Sequence, residues 1–375
     1  MKTLTIISHT EHYKKSNGNI VGLGSTVTEI NKLLAVFEEI IHVAMLHNDE
    51  APSSSLPYIS DKITFVPIPA LGGHTIGSKW SIIWKMPSVL KTVSSAISKS
   101  DYFQFRAPTG IGVFVIPYLV LFSSKKGWFK YAGNWKQNNA PLAYRFQKWM
   151  LKKQKRKVTI NGFWDDQPKH CLSFENPCLT DEEFIEGAKV IESRTMFAHN
   201  IEICFVGRLE AQKGLDLLID ALNDLNEMYC NKISKIHVVG NGNITYYKSI
   251  VKHNPLDFIF HGTLSRAEVH DIYKRSHIIV LPSQSEGFPK VITEALNYGC
   301  LPIVTKFHAI TDYIEHNRNG FLIEELSITC LRALIEVFIS VSENNYLSMI
   351  NYSKSFLQKF TYGYFNNKLK NRIII

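Results

Sequence analysis

The chain has 375 residues, 45% of them hydrophobic, with 42 Lys or Arg against 33 Asp or Glu and a formal net charge of +9. That length exceeds a typical single domain, so two domains are expected. The six cysteines contain no C-x-x-C pair, which fits a reduced cytoplasmic protein and argues against a structural zinc.

Charge is unevenly spread. Residues 1–160 hold 21 basic against 8 acidic side chains, a net of +13, whereas residues 161–375 hold 21 against 25, a net of −4. A basic half suits nucleic acid, anionic lipid or a phosphorylated acceptor, and composition alone does not choose among them. The opening MKTLTIISH lacks the apolar length of a signal peptide, and the longest apolar run, Gly110 to Phe122, is too short to span a bilayer.

In chain order the first half reads as the strands TLTIIS, EIIHVAML, KITFVPI, YFQF, WFKY and KVTI, separated by stretches of helical spacing such as Thr26 to Phe37 and Trp84 to Ile97. The second half supplies IEICFV, KIHVV, DFIF, HIIVL, LPIVT and GFLI. Such alternation predicts an α/β fold of two facing, doubly wound parallel sheets, each a Rossmann-like domain. The expected domains are 1–175 and 176–352, with a linker in 176–200 and a last segment, 353–375, that packs back on the first domain.

Ligands of open parallel sheets bind beyond the carboxyl ends of the strands. In the second half those ends carry Gly207-Arg208, Gly240-Asn241-Gly242, Gly262-Thr263-Leu264 and Glu286-Gly287-Phe288-Pro289. In the first half they carry Gly22 and Gly24, Arg106, Asn134 and Trp164. Gly72 to Lys79 nearly spells a P-loop but its lysine is misplaced, and GLGSTV lacks the third glycine of a dinucleotide fingerprint. No G-x-S-x-G, H-E-x-x-H or Asp-x-Asp occurs, so a lipase-type hydrolase, a zincin and a metal held by such a pair are disfavoured.

Two stretches stand out. VGRLEAQKG sets Arg208 and Lys213 five residues apart on a strand-to-helix turn, where both can reach one pyrophosphate. SEGFPKVITEA places Glu286 in the loop after a buried strand and Glu294 in the second turn of the helix that follows Pro289. Ionised glutamates accept hydrogen bonds from sugar hydroxyls, one for each sugar of a nucleotide sugar.

Together with HVVGNGN, HGTLSRAEVHDIYKRSHIIVLPSQ and DYIEHNRNGFLIE, these stretches resemble the donor-binding half of glycosyltransferase family 4, of GT-B architecture, over Ile201 to Glu324. The resemblance implies a retaining hexosyltransferase that uses a nucleoside diphosphate sugar and needs no metal or other cofactor. Its implied catalytic residues are Arg208 and Lys213 on the diphosphate and Glu286 on the donor sugar. Glu294 would hold the ribose, and backbone N–H groups of the stretch that runs from Gly287 through Phe288 and Pro289 to Lys290 would assist. Gly240, Gly242 and Gly262 to Leu264 would flank the base. Residues 1–175 match less specifically, and Arg106 stands near the place where many members carry a histidine. A sugar-nucleotide epimerase, a glycan phosphorylase and a non-catalytic nucleotide-sugar binder remain alternatives.

PLAYRFQKWMLKKQKRK, residues 141–157, predicts a basic amphipathic helix. Leu142, Phe146, Trp149 and Met150 share a face bordered by Arg145, Lys148, Lys152 and Lys155. The apolar stripe is expected to pack on the first sheet, while the cations attract an anionic inner membrane surface at about 1 kcal/mol each. No nucleic-acid recognition motif accompanies the charge. The expectation is a peripheral cytoplasmic enzyme acting on a lipid-linked or oligosaccharide acceptor in polysaccharide synthesis.

Overall fold

The computed structural model describes residues 2–52, 54–71, 76–135, 140–164, 167–195, 200–286 and 288–374, with the side chains of 76–83 left aside. Of the near-P-loop, residues 72–75 fall outside these, and 76–79 open the helix Ile76–Ser98. The chain forms two compact units, one of residues 1–175 with 365–375 and one of residues 176–364. The last segment is therefore divided, and the boundary falls within the helix Tyr362–Arg372.

The first unit holds β1 (Thr3–Lys14), β2 (Ile20–Leu23), β3 (Glu39–His47), β4 (Ser55–Pro57), β5 (Ile63–Pro69), β6 (Tyr102–Ala107), β7 (Lys126–Tyr131), β8 (Val158–Ile160) and β9 (Cys171–Ser173). Seven of these form a parallel run in the order β5-β3-β1-β6-β7-β8-β9. Side chains alternate across it as a pleated strand requires. Leu4 and Ile6 pack with Ile30 and Leu33 of the helix Gly24–Leu33. Ile7, Phe103 and Phe105 pack with Val115 and Leu119 of the helix Gly112–Leu121.

The register of β1 against β3 jumps from Ile7↔Val43 to Glu11↔Met45. Beyond this bulge β1 leaves β6 and pairs antiparallel with β2, which in turn pairs antiparallel with β4. These two strands, of four and three residues, are too short for periodicity to reveal and are missing from the sequence reading. The chain's end completes the same core: Phe365 meets Phe174 edge-on at 5.7 Å, and Lys368 Nζ lies 2.6 Å from Glu175 Oε2.

The second unit holds β10 (Ile201–Val206), β11 (Ile233–Val239), β12 (Phe258–Gly262), β13 (Ile278–Leu281), β14 (Leu301–Thr305) and β15 (Phe321–Ile323). All six strands that the sequence predicts are present, all parallel, in the order β12-β11-β10-β13-β14-β15. Most of their residues are buried, as expected where helices cover both faces. The chain moves outward from β10 in both directions, so the loops after β10 and β13 flank a topological switch point. Among the described residues no helix is long and apolar enough to cross a membrane.

Candidate functional site

Three loops at the carboxyl ends of the second sheet are laced together by their backbones. Gly207 N donates to Val239 O at 3.0 Å, Leu209 N to Asn241 O at 2.7 Å, and Gly240 N to Gly262 O at 2.8 Å. Gly240 has φ +151°, and a Cβ there would lie 1.7 Å from Gly207 O, so only glycine lets these turns meet. Gly242 bridges Leu209. Thr263 is exposed, and Leu264 packs on the core.

The turn after β10 continues through the short 3-10 helix Ala211–Lys213 to Gly214, at φ +78°. A Cβ on Gly214 would come 2.2 Å from Pro282 O. That close approach seats this turn against the loop after β13, where Gln284 N donates to Gln212 O at 2.9 Å. Lys213 and Glu286, 73 positions apart in sequence, are thereby joined: Nζ donates to Glu286 Oε1 at 2.5 Å, and Ser283 Oγ donates to the same oxygen at 2.9 Å. Both contacts fall on Oε1. Arg208 stays apart, 70% exposed, with Nη1 2.9 Å from Glu210 Oε1.

Glu294 lies in the helix Lys290–Leu296 and is buried. Arg266 Nη1 donates to its Oε1 at 2.9 Å, while Arg266 Nε and Nη2 reach Glu183 at 2.7 and 2.8 Å. The guanidinium also donates to Cys178 O. Burial alone would raise the Glu183 carboxyl, but the hydrogen bonds and charge of Arg266 hold it below its ordinary value. Arg266 is in turn held further toward the cation, since its two carboxylates outweigh burial.

Neither Arg266, Glu183 nor Ser283 is visible as a site residue in the sequence. The one available signal was local: Ser265 and Glu268 form a capping box that begins the helix Arg266–Arg275 and so fixes where Arg266 emerges.

Phe288 is anchored rather than open, stacked on Phe360 at 5.1 Å and meeting Tyr313 at 5.6 Å. Pro289 is the cap residue preceding the helix, not its first helical residue, and has no N–H to donate. Lys290 begins the helix and is partly exposed. Gly287 lies outside the described residues.

The first-unit candidates sit differently. Arg106 donates to Glu29 Oε1 and Gln104 Oε1, each at 3.0 Å, and Lys130 Nζ lies 2.6 Å from Glu29 Oε1. All three charged groups are buried or nearly so. Gly22 and Gly24 lie where a Cβ would come within 2.3 Å of His12 and 2.7 Å of Ser54 O, so packing within the unit already explains both. Trp164 is buried and donates from Nε1 to Asn161 O at 3.1 Å, and Asn134 is partly exposed. Beside Arg106, Ser8 Oγ, His42, the partly exposed Tyr58 and His12 form a hydrogen-bonded chain with separations of 2.8, 2.5 and 3.0 Å. Burial pushes the His12 imidazole down to about 4 and that of His42 well down as well.

Among the described residues no cluster of His, Cys, Asp or Glu could hold a metal ion. Two Rossmann-like, largely parallel sheets, with Lys213 and Glu286 joined at the switch point of the second, define a doubly wound α/β protein of two units. Residues 191–356 match the family model of glycosyl transferases group 1. A glycogen synthase of Thermodesulfovibrio yellowstonii is 33% identical over 157 residues, which are 40% of this chain and 30% of that protein. The chain spans less than half the length of the curated relatives it first matches.

Across nearly its whole length the fold is that of GT-B glycosyltransferases. Anabaena Alr3699/HepE, solved in complex with UDP and glucose, superposes with a TM-score of 0.70 at 15% identity over 99% of both chains. WaaG, a glycosyltransferase involved in lipopolysaccharide biosynthesis, gives 0.66 at 12% identity, over 98% of this chain and 99% of that one.

Proposed function

We propose that the protein is a retaining, metal-independent glycosyltransferase that moves a hexosyl group from a nucleoside diphosphate sugar to a hydroxyl of a lipid-linked glycan acceptor. The observation that carries this reading is the convergence of Lys213 and Ser283 on Glu286 at the switch point of the second sheet. With Oε1 held, Oε2 is the oxygen assigned to a hydroxyl of the donor sugar. Glu294 is likewise held through one oxygen by Arg266, and its other oxygen is the one assigned to the ribose.

In the reaction the bond from the anomeric carbon to the diphosphate breaks and a bond to the acceptor oxygen forms on the same face. The acceptor proton passes to the departing diphosphate. Lys213 and the exposed Arg208 supply the positive charge that the diphosphate needs as it leaves. The basic first unit draws the enzyme reversibly to the inner membrane face, where such acceptors reside.

Steady-state kinetics with UDP-sugars, the first donors suggested by the UDP complex of the similar fold, test the assignment. Arg208→Ala is expected mainly to lower kcat, because charge on the diphosphate grows in the transition state, and Glu294→Ala mainly to raise KM. Wild-type kinetics in both would overturn the reading.

A further inference from the structure

The helix Leu142–Lys153 turns the expected packing inside out. Its buried residues are Gln147 and Leu151, whereas Leu142 is 78% exposed, Trp149 55% and Phe146 39%. Gln147 locks that orientation. Its Oε1 accepts from Thr109 N at 3.0 Å, and its Nε2 donates to Thr109 O at 2.8 Å and Ala143 O at 3.1 Å. Gly112, at the start of the neighbouring helix, leaves room for it, since a Cβ there would lie 2.0 Å from Gln147 Oε1. Leu151 is fully buried in the sheet's core. Rolling the apolar stripe inward would break all of these contacts and bury unpaired amides.

Leu142, Phe146, Trp149 and Lys153 follow one another at spacings of four, three and four, so they form one outward stripe. Phe146 and Trp149 stack on each other at 6.1 Å. Arg145 beside the stripe and Lys153 at its end are exposed, as are Lys155 and Lys157 just beyond it. The unit that carries the stripe, residues 1–175 with 365–375, holds 25 basic against 11 acidic side chains, a net of +14.

We infer that this helix is an interfacial wedge: Leu142, Phe146 and Trp149 enter the acyl boundary of an anionic leaflet while the flanking cations engage lipid headgroups. Trp, Phe and Leu on one face with Lys and Arg along its border is the pattern of helices that lie in the plane of a bilayer surface. A second copy of the chain is the poorer occupant, because two +14 units repel and protein interface cores are depleted in lysine. The inference deepens the membrane docking proposed above by adding insertion to electrostatic attraction, and it rests on that reading.

The test is co-sedimentation of the full chain with vesicles of phosphatidylglycerol and phosphatidylcholine, or of phosphatidylcholine alone. Binding is expected to require the anionic lipid. Replacing Leu142, Phe146 and Trp149 together by Gln, all exposed and outside the donor site, is expected to leave the thermal melt unchanged and to weaken partitioning at least about 100-fold. Replacing Arg145 and Lys153 by Gln is expected to weaken it about 30-fold and to flatten the salt dependence. Quenching of Trp149 by lipids brominated on the acyl chain, lost in Trp149→Phe, is the signature of insertion. Sedimentation of the triple variant equal to wild type overturns the wedge, and so does a concentration-dependent dimer that the triple variant abolishes. Donor turnover with a soluble acceptor, measured in parallel, reports on the glycosyltransferase reading independently of either outcome.

Discussion

At the carboxyl ends of β10 and β13, Lys213 and Glu286 meet while remaining 23% and 14% exposed. At the carboxyl ends of β6 and β7, Arg106 and Lys130 turn onto Glu29, and the three are 11%, 7% and 4% exposed. Both pairs of strands belong to parallel runs wound outward from a central strand. The same topology thus delivers charge to the same kind of place and uses it in two ways. Where water still reaches the pair, the side chains can exchange a protein partner for a ligand. Where it does not, each charge depends on the others, and removing one strands the rest.

Glu29→Ala breaks that comparison most severely. It leaves Arg106 and Lys130 buried without their shared carboxylate and is expected to cost about 3–5 kcal/mol of stability, read by urea denaturation. Acid titration comes next. His12, held at about 4 in the fold against 6.5 when free, binds a proton in the unfolded chain first. Stability is therefore full above pH 6.5 and falls as pH drops toward 4, by about 3 kcal/mol for this group alone. A His12→Gln variant is expected to flatten the pH dependence of the thermal melt over that window.

Lys213→Ala sharpens the other side of the comparison: kcat is expected to fall about 100-fold, with little change in the melt, because the group is partly solvated and the proposed reaction sets it on the departing diphosphate. Glu210→Ala should do least. Its pair with Arg208 is exposed, so stability is expected to stay within about 0.5 kcal/mol by denaturant titration.

The second unit was legible in the sequence because its strands are continuous apolar runs and its turns are marked by glycines. Arg208, Lys213, Glu286 and Glu294 could be selected from it as candidates. Their partners could not. Arg266 lies 28 residues from Glu294 and 83 from Glu183, and nothing local announces that one guanidinium will join both. The first unit was less legible for a related reason. Arg106 reads as a strand-end cation, and only the fold brings it to Glu29, 77 positions away.

The stripe of Leu142, Phe146 and Trp149 shows the limit from another side. Periodicity found the face and could not say which way it points, because a polar residue, Gln147, holds the inward position through hydrogen bonds to Thr109 and Ala143. An apolar moment predicts burial only when the polar face has no better use for the interior.

Phe365, Leu369 and Ile374 belong to the same buried cluster as Leu4, Ile6 and Ile40. On the ribosome the first of these groups is made last. The opening 175 residues therefore emerge and wait, with Phe174 and Lys130 lacking the cover of Phe365, until the whole intervening unit has been synthesised and the helix that ends at Arg372 can return to them. Chain elongation and folding order thus run out of step in this protein, and during that interval the first unit is the part of the nascent chain that most needs a covering partner.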